Sequence, residues 1–214
     1  MDNLEELGRC FAEMVENSNS FGGAWKNIPL GHQAFTLMKE GLPLRVKGEL
    51  TPYTRIVLLN KMMDCMPERD CARFFREVQE YQMGLFAQMS DGDFPEDMEI
   101  DEYEGAPEEF VREYDEEEHR RSMKKIQDYL NPKVSVEDWC REYDVILKFD
   151  PVERTQKWED CIYDVEKECD RILEDEPRSM GFCFSYWSAK RAVLARYGIQ
   201  WKSPSVMNPG VMFD

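Results

Sequence analysis

The chain reads as an all-α protein, an irregular helical bundle of about seven helices with an acidic loop in the middle and a non-helical C-terminal tail. Three observations predict this. Apolar residues recur at three- and four-residue intervals through most of the 214 residues. Helix-start signals, a Ser, Thr or Asp followed by Pro or an acid, stand before those stretches. Only residues 42–50, "LPLRVKGEL", offer a short strand or an extended connector.

Asp2 and Glu5 form a capping-box pattern ahead of a stripe of Leu4, Leu7, Phe11, Met14 and Val15. A loop with Gly22, Gly23 and Pro29 follows, then a short helix over 32–40 that stops at Gly41 and Pro43. Thr51-Pro52 caps a helix with Tyr53, Ile56, Leu59, Met62 and Met63 inward. Pro67 restarts the chain into a longer helix carrying Cys71, Phe74, Phe75, Val78, Leu85, Phe86 and Met89. Pro107 opens a helix that runs to Leu130 and closes at Asn131-Pro132.

"SVED", 135–138, is a capping box before Trp139, Tyr143, Ile146 and Leu147. "DPVE", 150–153, launches a stripe from Val152 through Trp158, Ile162, Val165 and Cys169 to Leu173, a single helix of about 25 residues and roughly 37 Å. The last helix spans 179–197, with Gly198 as its cap and Ile199 as the apolar residue after it. The tail beyond holds Pro204 and Pro209 and is expected to strap over the bundle through Trp201, Val206, Met207 and Phe213. A single domain over 1–214 is expected. The alternative is two helical subdomains, 1–90 and 107–214, joined by an acidic linker, 91–106.

Composition narrows the function. At 42% apolar and 12% aromatic the chain can bury a core. No apolar run approaches the roughly 18 residues of a membrane helix, and the acidic, amphipathic N-terminus argues against a secretory signal. A cytoplasmic protein without membrane partners is the expectation. Seven cysteines without a CxxC pair read as reduced core residues, and two histidines are too few for a His-rich metal centre. No metal and no cofactor are expected.

Charge is segregated along the chain. From Asp91 to Glu118 there are fifteen acids and one base, Arg112, a balance of −14. From Pro177 onward the bases Arg178, Lys190, Arg191, Arg196 and Lys202 face Asp214 alone. An acidic chain of net charge −17 favours basic partners over nucleic acid or anionic membrane. The run "DGDFPEDMEIDEYEG" fails as an EF-hand loop, because Pro95 and Glu96 occupy the fifth and sixth positions where an acid and a Gly are required. Its packed carboxylates leave loose affinity for divalent cations, and one dense loop is a poor imitation of phosphate spacing.

Glu116 and His119 have the spacing of half a di-metal site but lack a second Glu-x-x-His. Ion pairs from Glu116 to Arg120 and from Glu117 to Arg121 account better for that helix. No GxSxG, P-loop, GxGxxG or HExxH motif is present, so no catalytic residue is assigned.

The sequence therefore favours a non-enzymatic, acidic interaction module. Asp97, Glu99, Asp101, Glu102 and Glu104 are the candidate contacts to a basic protein surface. An inhibitor of a nucleic-acid enzyme, carried by a phage or mobile element, is one concrete form. The alternative is a nucleic-acid-associated factor that uses the basic-aromatic C-terminal helix, with Lys190, Arg191, Arg196 and Trp201 as contacts. A third reading is an enzyme whose scattered site is invisible in sequence.

Overall fold

A computed structural model describes residues 3–20, 22–40, 51–89 and 108–213, and their side chains except at 40 and 108–115. The strand candidate at 42–50, the capping residue Asp2 and the five acidic candidates Asp97, Glu99, Asp101, Glu102 and Glu104 lie outside the described residues. The described chain is all-helical, with nine α-helices, three short 3-10 turns and no strand among these residues. It packs as two compact units.

The first unit comprises Met1–Pro67 and Phe74–Ile126. It contains α1 (Asn3–Asn19), α2 (Asn27–Glu40), α3 (Pro52–Asp64) and most of α4 (Ala72–Phe86) and α5 (Glu108–Leu130). α3 starts where its cap signal stands, with the Thr51 hydroxyl accepting the Thr54 amide at 3.1 Å and Pro52 in the first turn. Its buried face is Ile56, Leu59 and Met62. α1 buries Leu7, Cys10 and Met14, whereas Leu4 and Val15 are exposed. The apolar stripe is thus centred on Cys10 and turned away from the edge positions named in the sequence.

α2 begins five residues before the expected His32, and the supposed loop is a 3-10 turn (Ala24–Lys26) running into it. Pro29 does not break this helix. It lies in the first turn, where a backbone N–H has no intrahelical acceptor to lose. Asn27, the first residue of α2, is fully buried. Its Nδ2 donates to the Met14 carbonyl at 2.9 Å and the Cys65 carbonyl at 2.7 Å, and its Oδ1 accepts from Asn17 at 2.9 Å. One amide therefore ties the ends of α1 and α3 to the start of α2.

The second unit comprises Glu68–Arg73 and Gln127–Asp214. Its elements are a 3-10 turn (Glu68–Cys71), α6 (Val136–Glu142), a second turn (Pro151–Arg154), α7 (Gln156–Ile172), α8 (Phe182–Arg196) and α9 (Pro204–Met207). One cluster packs Tyr129, Trp139 and Phe149 with ring centroids 5.3 to 5.6 Å apart, joined by Ala72, Val136 and Cys140. Such aromatic pairs add roughly 0.5–1.5 kcal/mol each beyond the area they bury.

The single long helix expected after Asp150 is two pieces. Asp150 and Glu153 close a capping box around the 3-10 turn, and then Thr155 leaves helical geometry at ψ 151°. Its hydroxyl accepts the Trp158 amide at 3.3 Å and starts α7 afresh, giving 17 residues and about 26 Å of helix. Trp158, Ile162, Val165, Cys169 and Leu173 are buried as the periodicity predicts. α6 stops at Glu142, so Ile146 and Leu147 fall beyond its packed face and are exposed.

α8 starts at Phe182, because Gly181 takes a left-handed φ of 85° that ends any helical run from Ser179. Its other end closes as the sequence predicts. Gly198 sits at φ 68°, its N–H donates to the Ala195 carbonyl, and the Ile199 N–H reaches the Leu194 carbonyl at 3.0 Å. Ile199 is buried behind this turn. The tail is not wholly non-helical, for Ser203-Pro204 starts the single turn α9. Of its expected anchors Trp201 is buried as predicted, and the other three are not. Trp201, Ser203 and Asn208 are buried, Met207 and Phe213 are half-buried, and Val206 is exposed. Asn208 holds the tail by pairing with both backbone groups of Lys148, at 2.9 and 2.8 Å.

Candidate functional site

The basic-aromatic C-terminal segment is the sequence-selected site that the structure describes. α7 and α8 pack together, and Lys190 on α8 points into the seam at only 7% exposure. Its Nζ contacts Glu166 Oε1 at 2.5 Å, and the Tyr186 hydroxyl, one turn earlier, donates to the same carboxylate at 2.7 Å. The ammonium lies over three rings, 5.0 Å from Trp158, 5.5 Å from Trp201 and 5.6 Å from Tyr186. Cation–π attraction is strongest in such a desolvated place, worth about 2 kcal/mol.

A second layer of acids holds the rings. The Trp158 indole donates to Asp70 at 2.8 Å and the Trp201 indole to Glu153 at 2.8 Å. Asp150 accepts the Lys202 amide at 2.7 Å, which clips the tail to the turn before α7. Burial on its own would lower the Lys190 ammonium. The Tyr186 oxygen, the Glu166 carboxylate and Asp70 outweigh it and hold Lys190 well above the ordinary lysine value. Burial raises the Tyr186 phenol and lifts Glu153 above the usual carboxylate range.

An ammonium so held is a fixed cation. A lysine nucleophile or base needs the opposite shift, which frees the amine near neutral pH. The network's chemistry is cohesion: it fastens α7, α8, the tail and the 68–71 turn to one another.

The four basic-aromatic candidates thus separate. Lys190 and Trp201 are interior, while Arg191 and Arg196 are exposed. Arg196 pairs with Glu168 at 3.2 Å, and Glu168 also binds Arg171 at 2.8 Å. Hydrogen bonds from Arg171 and Arg196 pull the Glu168 carboxyl down to about 2. These charges line a shallow depression of about 630 Å³ with Lys167 and Tyr197.

On α5, Glu116 and Glu117 pair with Arg120 and Arg121, as their four-residue spacing predicts. His119 is buried, with Nε2 3.0 Å from the Gln79 carbonyl, and burial lowers its pKa. Among the described residues no group of three or more His, Cys, Asp or Glu side chains could hold a metal ion. Nor is any described helix long and apolar enough to cross a membrane. All seven cysteines are free thiols.

Asn27, Glu153, Glu166 and Asp150 carry much of the polar architecture, and no spacing rule pointed to Asn27 or Glu166. The one usable signal was the Asp150–Glu153 capping box, which is also the acceptor pair for Lys202 and Trp201. Comparison with known proteins adds no relative. No family model, no curated protein and no solved structure matches the chain.

Proposed function

We propose that this chain is a non-enzymatic interaction module whose acidic segment docks a basic protein surface. Charge arithmetic carries the reading. With 44 acids and 27 bases, at least 17 carboxylates have no basic residue of the chain left to neutralise them, even if every Lys and Arg pairs once. The excess is concentrated, since 15 of the acids fall between Asp91 and Glu118 with one base among them. In the second unit, three of the C-terminal bases already serve α7: Lys190 pairs with Glu166, Arg196 with Glu168 and Arg178 with Asp170. A basic partner supplies the missing cations, and its release of counterions gives an affinity that falls with salt. A nucleic-acid enzyme, with its phosphate-binding face, has the required surface chemistry.

The test is capture of partners on the immobilised full chain, followed by a salt titration of whatever is retained. Binding should weaken steadily as salt rises. Converting Asp97, Glu99, Asp101, Glu102 and Glu104 to Asn or Gln should abolish the salt-sensitive part and leave the helical spectrum intact. Equal retention by this variant would overturn the reading, as would a partner set consisting of nucleic acid.

A further inference from the structure

A cavity of about 650 Å³ opens on the second unit, lined by residues other than those of the Lys190 network. Its volume lies within the roughly 300–1,000 Å³ usual for small-molecule sites. The lining is mainly aliphatic, from Leu130, Val134, Val136, Pro151 and Met207, and three charged side chains reach it. Two of these are already matched. Arg73 pairs with Glu159 at 3.1 Å, and Glu137 with Lys148 at 3.1 Å.

The third, Arg154, is not. Its Nη1 donates to the Val134 carbonyl at 2.7 Å, while Nε and Nη2 are buried without any hydrogen-bond partner. The guanidinium rests against the faces of Phe149 and Tyr129, at 5.1 and 5.3 Å. Burial lowers its pKa, an effect that Tyr129, Cys140 and the more distant Glu137 offset only in part, as expected for a cation that has lost water without gaining a hydrogen-bonded carboxylate. The cavity therefore carries one positive charge in excess, on the side chain best shaped for a bidentate acceptor. The start of α7, at Thr155 and Gln156, lies on the same wall and adds its positive dipole end.

We propose that this cavity binds a carboxylate bearing a short apolar chain, with Arg154 as the anion partner and the aliphatic wall holding the chain. Turning the guanidinium toward such a ligand gives up the single bond to Val134 and supplies acceptors to nitrogens that now have none. A free small carboxylate and the C-terminal residue of a peptide present the same chemistry.

Calorimetric titration of the full chain distinguishes these sources. Hexanoate is compared with hexanol, and Gly-Gly-Leu with its C-terminal amide. Saturable heat from hexanoate or from the free tripeptide, with none from the alcohol or the amide, is the expected result. Hexanoate binding alone assigns a small-molecule site, and tripeptide binding alone a peptide C-terminus.

Arg154→Gln should remove the binding. Because that variant could also loosen the Tyr129–Phe149 cluster, Gln156→Glu is the second arm. At this exposed first-turn position the helix dipole favours an acid, which offsets the loss of the Gln156 bond to Asp160 at 2.7 Å, and a charge there should weaken hexanoate by about tenfold or more. Binding that is unchanged in Gln156→Glu, equal for hexanoate and hexanol, or absent for all four probes would overturn the proposal.

Discussion

The two units solve the same problem, a polar group inside a helical core, in different ways. The first buries neutral groups: Asn27, Gln79, Gln82 and an uncharged His119. The second, besides the neutral Ser203 and Asn208, buries ions: Lys190 against Glu166, and Asp150 in its capping box. A neutral amide loses little on leaving water if its carbonyl and amide partners are placed, as the Met14 and Cys65 carbonyls and the Asn17 amide are around Asn27. A buried ammonium needs a carboxylate, ring faces and further hydrogen bonds together. Both polar cores join distant stretches of their units, 38 residues apart for Asn27 and Cys65 and 24 for Lys190 and Glu166, but only the second needs matched charge to do so.

That contrast is broken most strongly at Lys190. Lys190→Met leaves Glu166 charged and buried and should cost about 3–5 kcal/mol in chemical denaturation. Adding Glu166→Leu and Tyr186→Phe should restore most of the loss, because the ion pair as a whole is worth little against a packed apolar substitute. A triple variant as unstable as the single one would show that the network holds the fold by something other than charge matching.

Asn27→Ala tests the neutral counterpart. It removes the bonds to the Met14 and Cys65 carbonyls, which keep the Ser18 hydroxyl, takes away the acceptor of the Asn17 amide, and should cost roughly 2–3 kcal/mol by the same measurement. Thr155→Ala comes next, at about 1 kcal/mol, since it removes the hydroxyl that restarts α7 while leaving the Asp150 capping box in place. Loss of several kcal/mol there would mean that the break before α7 is coupled to the Trp158–Trp201 layer.

The response to pH sharpens the comparison further. His119 has a folded-state pKa depressed below its ordinary 6.5 by burial, so the unfolded chain takes up the proton first. Stability of the first unit should fall as pH drops below about 6.5 and continue falling until the lowered folded value is reached. Amide exchange of α4 and α5 measured across that window should show the slope, and His119→Phe should flatten it. The smallest effect belongs to Glu168→Gln, an exposed pair whose contribution should be lost in high salt. In the wild type it should be lost as pH falls from the ordinary 4.5 toward about 2.

What could be read from the sequence was punctuation. Thr51-Pro52, Ser135 and Gly198-Ile199 each act within one turn, and a local rule suffices for a local geometry. Pro29 misled because the same residue breaks a helix in its interior and is tolerated in its first turn, and only the position of Asn27 decides between them. Thr155 was hidden inside a continuous apolar stripe, since Val152 and Trp158 stand three residues to either side of it. Burial of charge was invisible altogether. Nothing in "WSAKRAV" distinguishes Lys190 from Arg191 next to it, although one is interior and the other faces solvent. That difference comes from Glu166, 24 residues away.

The seven thiols turn this architecture into a clock. Cys65 and Cys183 are half-buried, while Cys10, Cys71, Cys140, Cys161 and Cys169 are shielded from solvent. Burial also raises the pKa of those five, that of Cys169 to about 12, so neither access nor thiolate favours their reaction. An alkylating reagent would therefore add two mass increments quickly and the remaining five only as the protein breathes. The lag at Cys10 would time opening of the first unit, and the lags at Cys140, Cys161 and Cys169 the second. One mass-spectrometric time course would thus read the lifetimes of both closed states without a single engineered label.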